Sequence, residues 1–171
     1  MNKNLLQIIR FLVLVLFQVL VINHIRLGGY VHPYIYLVFI MLLPFSTPKW
    51  QLLVLGFALG LTVDLFTGTP GLHAGATTLM AFSRPSIIKL VSGSQKFENI
   101  TEPNLGQLGG LWFFRYVLCM VFIHHFTLFF LESFSIRLIG QVLLRILLSV
   151  PVSIFLIMMI LYIFKSEKKR E

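Results

Sequence analysis

The chain has 171 residues, of which 57% are hydrophobic and 12% charged, with a formal net charge of +8 and a mean hydropathy of +0.90. Soluble domains carry about a quarter charged residues, so this composition excludes an ordinary soluble domain and indicates an integral membrane protein. The basic residues punctuate apolar runs instead of lining a polar face, which argues against a nucleic-acid partner and for topology-setting charges near anionic lipid headgroups.

Six apolar runs read as transmembrane helices, at about 4–23, 33–46, 50–67, 71–91, 112–131 and 139–164 of one transmembrane domain, 1–171. In the first, Lys3 and Arg10 accompany an apolar stretch as in a signal peptide. Val21-Ile22-Asn23-His24-Ile25 offers no small-residue cleavage site, so the run reads as a retained span. The second is short and bounded by Pro33 and Pro44. The third carries Asp64 and leads through Thr67-Gly68-Thr69-Pro70-Gly71 into the fourth, which Arg84-Pro85 is expected to end or kink. The polar segment 92–110 follows, too short and too poor in apolar residues to fold alone. Its Asn99-Ile100-Thr101 triplet is meaningless as a glycosylation site if the loop is cytoplasmic. The fifth run contains Cys119, the single cysteine, which excludes an internal disulfide, a CxxC pair and a cysteine-based metal cluster.

Charge orients the spans. With the N-terminus inside, the cytoplasmic side receives Lys3, Arg10, Lys49, Arg84, Lys89, Lys96, Arg115, Lys165, Lys168, Lys169 and Arg170. The outer side receives Arg26 and Arg137, with Arg145 a turn or two into the last span. This bias predicts six spans with both termini cytoplasmic, since an odd number would place the basic tail outside.

Asp64 is the only aspartate in the chain. A carboxylate at membrane depth costs roughly 2.5–3.5 kcal/mol on insertion scales, so it marks a candidate site. Gly56, Gly60 and Asp64 recur at i, i+4 and i+8 and fall along one helix stripe, with Gly68, Gly71 and Gly75 beyond it. Small residues at this spacing let helices approach closely, within the bundle or against a partner. Asp64 has four readings: an ion pair with Arg145, which is expected at a similar depth, a polar contact to a partner helix, a proton-coupled site, or a ligand contact. Arg84 is a poorer pairing partner, lying toward the cytoplasmic half.

His24, His32, His73, His124 and His125 all fall in the outer half. Their spacing matches no metal motif, and adjacent helix residues point about 100° apart, so packing and polar contacts are favoured over a metal site. The enzyme inventory is thin as well. An aspartyl peptidase needs two carboxylates, and apart from Asp64 the only acid near membrane depth is Glu132. Neither a Gly-x-Ser-x-Gly elbow nor a His-Glu-x-x-His motif is present. The expectation is a non-enzymatic protein without a cofactor.

One local signature carries a resemblance: Gly60-Leu-Thr-Val-Asp64-Leu-Phe-Thr-Gly68-Thr-Pro-Gly71-Leu-His73-Ala, then Ala81-Phe82-Ser83-Arg84-Pro85. With the size and six-span layout, it resembles the rod shape-determining protein MreD family, in the form found in Bacteroidetes-like bacteria. The matching positions are Gly60, Asp64, Gly68, Gly71, His73 and Arg84. The resemblance implies an all-α, multi-pass protein of the bacterial inner membrane that acts as a scaffold of the cell-elongation (Rod) complex. There it would bind an MreC-like single-span protein and, indirectly, MreB, RodA and its transpeptidase, supporting rod shape and lateral peptidoglycan synthesis. The family's fold is related in outline to the S-components of ECF transporters. The alternative is therefore a substrate-binding membrane subunit of a vitamin-type transporter, with Asp64, His73, His124 and Arg145 available to line an outward pocket.

Overall fold

The computed structural model describes residues 3–25, 29–93, 100–134 and 136–163. Arg26, Lys96, Asn99, Lys165, Lys168, Lys169 and Arg170, which enter the sequence argument, lie outside them. Among the described residues the protein is all-α, with helices α1 (Lys3–Leu20), α2 (Val38–Met41), α3 (Lys49–Thr67), α4 (Leu72–Ser92), α5 (Leu105–Leu108), α6 (Gly110–Ser133) and α7 (Ile139–Ile163). Four stretches, Leu5–His24, Lys49–Thr67, Gly110–Ser133 and Ile139–Ile163, are long and apolar enough to cross a membrane.

Local sequence sets the ends. Pro48 is the last extended residue before α3, where a missing N–H costs nothing. Gly68 closes the helix at φ +69°, a left-handed conformation that a side chain disfavours. α4 has 21 residues, a rise of about 31 Å. Its Thr, Ser, Arg and Lys content leaves it outside the apolar group. It packs between α3 and α6. Pro85 does not end it, because the helix continues to Ser92. Contacts on both flanks compensate for the hydrogen bond that proline removes from the Ala81 carbonyl.

The largest departure from expectation concerns the second run. Residues 33–46 contain only the single turn α2, so six spanning helices are not what the chain shows. Length explains the difference. Fourteen residues rise only about 21 Å as α-helix, short of the roughly 30 Å hydrocarbon core. Pro44 cannot extend a helix beyond it, since it lacks the N–H and clashes with the preceding turn. The stretch is nonetheless the most buried part of the molecule: Ile35 to Met41 are all 2% exposed or less.

Buried non-helical backbone needs partners, and the surrounding helices supply them from side chains. Gln18 of α1 donates to the Pro33 carbonyl (3.1 Å) and accepts from the Ile35 N–H (2.8 Å). On α7, Ser149 accepts from the His32 N–H (3.0 Å) and Ser153 from the Tyr34 N–H (3.1 Å). At the other end the Arg84 guanidinium donates to the carbonyls of Leu43, Met41 (3.4 Å) and Pro44 (3.5 Å). The Tyr116 hydroxyl donates to Met41 as well (3.1 Å) and accepts from Arg84 Nε (3.0 Å). These pairings fix directions. Pro33 lies beside Gln18 and Leu42 beside Arg10, so the segment runs antiparallel to α1. Tyr36 meets Thr77 and Leu43 meets Arg84, so it runs parallel to α4.

Arg84 is 1% exposed and donates to three carbonyls; Met41 keeps Tyr116 and Pro44 keeps Thr47 as donors without it, so Leu43 is the acceptor it alone serves. One unmatched acceptor and the lost Tyr116 contact make Arg84→Leu lose about 2 kcal/mol or more, and Arg84→Lys part of that, because an ammonium lacks the planar fork. Unfolding in a mixed-micelle denaturant series measures both; an Arg84→Leu variant as stable as the parent would contradict this role.

Candidate functional site

Asp64 ends up where the sequence placed it, near the end of α3 and 2% exposed. Of the readings offered for it, the ion pair with Arg145 is not formed. One oxygen accepts from Thr69 Oγ1 (2.9 Å) and the His73 N–H (3.0 Å). The other accepts from the N–H groups of Gly71 (3.0 Å) and Ala74 (2.9 Å). A helix start exposes unpaired N–H groups and a positive dipole end, which together form an anion site. Gly71, the N-cap of α4, has no side chain to fill it. Asp64 reaches across the turn and occupies that site. Arg145 pairs instead with Glu132, Nη1 to Oε2 at 2.9 Å.

The glycine stripe is spent on the same hairpin. A Cβ on Gly60 would lie 2.5 Å from Ala74 Cα, against backbone, and one on Gly56 would lie 2.8 Å from Ala81 Cβ. Gly56, Gly60 and Asp64 thus form a seam closed by α4 of the same chain, and they present no open face to a partner. Gly68 and Gly71 take positive φ at the turn, while Gly75 meets only Leu131, at 3.4 Å.

His73 starts a polar core behind the cap. Its Nδ1 lies 2.9 Å from the Tyr36 hydroxyl, which is 2.8 Å from His124 Nε2. His124 Nδ1 is buried with no hydrogen-bond partner among the described residues. An unpaired acceptor is tolerated better than an unpaired donor, which assigns the proton of His124 to Nε2. His124 then donates to Tyr36, Tyr36 donates to His73 Nδ1, and His73 keeps its own proton on Nε2. His125 points elsewhere. Its Nδ1 donates to the Val121 carbonyl (2.9 Å), so its Nε2 accepts from Ser153 (3.0 Å). The Tyr34 ring packs edge-on against His73 and His124, with centroids 5.2 and 5.5 Å away, and lies tilted on His125 at 5.2 Å. Among the described residues no three His, Cys, Asp or Glu side chains converge as a metal-binding set.

A cavity of about 370 Å³ opens at this end of the bundle, lined by His73, Tyr34, His24, His32, Thr69, Glu132 and Arg145 together with apolar side chains. Of the residues proposed from sequence, His73 and Arg145 meet there. Asp64 sits behind it, held by its cap, and Arg84 belongs to the opposite end of the buried segment. Tyr34, Tyr36, Gln18, Ser149 and Ser153 escaped sequence reasoning. The available signals were a glutamine inside the first apolar run, two serines four apart in the last, and tyrosines two apart between prolines.

The fold defines a class first: an all-α bundle with four helices long and apolar enough to cross a membrane, the architecture of a multi-pass membrane protein. No family model, no curated protein and no solved structure matches the chain.

Two substitutions test the hairpin. Gly60→Ala is expected to destabilise the protein by about 3 kcal/mol, as overpacking against backbone does, while Gly75→Ala stays within about 0.5 kcal/mol. Asp64→Asn keeps one acceptor and gains a donor facing N–H groups, so a loss of about 3 kcal/mol is expected. Thermal unfolding of the three purified variants checks the order; equal stability of Gly60→Ala and Gly75→Ala would contradict the close α3–α4 approach.

Proposed function

We propose that this protein is a non-enzymatic scaffold of the bacterial inner membrane, an MreD-like member of the cell-elongation complex. It docks an MreC-like single-span protein and, through it, MreB, RodA and its transpeptidase. The supporting observation is the use made of the signature residues. Gly60, Asp64, Gly68 and Gly71 build the α3–α4 hairpin, His73 joins that hairpin to the buried segment through Tyr36, and Arg84 holds the segment's far end. A short motif spent entirely on shaping a bundle suits a protein whose product is a surface.

In this reading the buried segment is the second of six crossings, which returns the chain after α1 and leaves both termini cytoplasmic. The placement of Lys49 at the start of α3, Lys89 at the end of α4 and Arg115 at the start of α6 supports that orientation. Because α4 covers the glycine stripe, the partner helix docks on an outward face of the bundle, among lipids. A second reading, the binding subunit of a small-molecule transporter, is favoured by the cavity beside His73 and Arg145.

Affinity purification of the tagged protein in mild detergent, with mass spectrometry, separates the two. The scaffold reading expects a single-span periplasmic coiled-coil protein with cell-wall synthases. It also expects their loss in Asp64→Ala together with a lowered melting temperature, and their retention in Gly75→Ala. Recovery of paired ATPases with a larger coupling subunit would overturn it in favour of the transporter.

A further inference from the structure

Arg145 and His73 bring hydrogen-bond donors to one cavity. Arg145 lies over the Phe129 ring, with Cζ 4.3 Å from its centroid, so the ring occupies one face of the guanidinium and the N–H groups radiate in its plane. Nη1 is taken by Glu132. Nε is buried and has no acceptor among the described residues, a costly state for a charged donor. The Glu132 side chain is 43% exposed against 18% for Arg145, so the carboxylate can move into water while the guanidinium stays fixed. His73 lines the same cavity. Its Nδ1 is held by Tyr36, which leaves the protonated Nε2 as a second donor. Val19, Ile22, Leu72 and Leu128 supply an apolar wall, and the volume lies within the range of small-molecule sites.

We propose that this cavity binds a small carboxylate attached to a compact apolar body. Its oxygens replace Glu132 on Arg145 and accept from His73, while the apolar part lies on the Val19–Leu128 wall. Glu132 acts as a built-in competitor that keeps Arg145 neutralised until the ligand arrives. The inference rests on the cavity of the second reading and does not depend on which proteins copurify. Recovery of cell-wall partners would leave it intact, and its failure would not decide between scaffold and transporter.

Benzoate, benzylamine and benzyl alcohol share a body and differ in the group that Arg145 would meet. Titrated calorimetrically into the full chain in detergent, benzoate is expected to bind at least about tenfold more tightly than the other two, the size of one charge-assisted contact. Arg145→Gln should remove that preference. Glu132→Gln should tighten benzoate by about threefold or more, because the competitor is gone. Equal binding of the three probes, a preference for benzylamine, or a preference retained in Arg145→Gln would overturn the proposal. If Arg145→Gln does not fold, Glu132→Gln decides, and unchanged or weaker benzoate binding there overturns it.

Discussion

A buried segment with a single helical turn, Val38–Met41, runs through the middle of this protein, and side chains of the surrounding helices satisfy the backbone that the turn leaves over. Peptide groups buried without partners each cost several kcal/mol in an apolar medium. The helices therefore carry polar side chains at inward positions that would otherwise be apolar: Gln18 on α1, Arg84 on α4, Tyr116 on α6, and Ser149 and Ser153 on α7. Four different helices are thereby tied to one segment. In lipid, where the hydrophobic drive between helices is weak, these directional contacts to a shared segment add to the close packing of the buried apolar cluster.

The same economy explains the single aspartate. A charge at this depth requires either a counter-ion or a shell of donors, and the α4 start provides a ready-made shell. Three N–H groups and one hydroxyl meet the carboxylate, and the tight α3–α4 approach at Gly60 brings those donors within reach. Removing the carboxylate leaves the helix start unsatisfied; adding a side chain at Gly60 pushes the donors away. The seam and the cap are one structure. Its inner surface joins the Tyr36–His73–His124 chain, so hairpin, buried segment and α6 form a continuous polar core.

Much of this was legible in sequence where periodicity and punctuation agree. The expected run 50–67 became α3 over Lys49–Thr67, 71–91 became α4 over Leu72–Ser92, and 112–131 became α6 over Gly110–Ser133. That Asp64 and the glycines share one stripe of the third run could be read too, because a carboxylate and small residues stand out at helical spacing in an apolar run. What could not be read was where they point. A stripe competent for packing does not say whether α4 or a partner will cover it, and Asp64 could be paired with Arg145 only because backbone donors are invisible in side-chain inventories. Residues 33–46 were misleading for a related reason. Hydropathy reports burial, and Ile35 to Met41 are buried, but the one helical turn there satisfies only part of the segment's backbone and neighbouring side chains meet the rest.

Amide hydrogen exchange by NMR at Tyr34 and Ile35, in the parent protein and in Gln18→Leu, shows whether side chains hold the buried segment. Slow exchange at both amides is expected in the parent, and fast exchange at Ile35 in the variant while the α6 amides stay protected. Fast exchange at both positions in the parent would place the segment at the surface. Protection at Ile35 that survives the loss of Gln18 would mean an ordinary helical ladder, and either result would contradict a buried segment held by side chains.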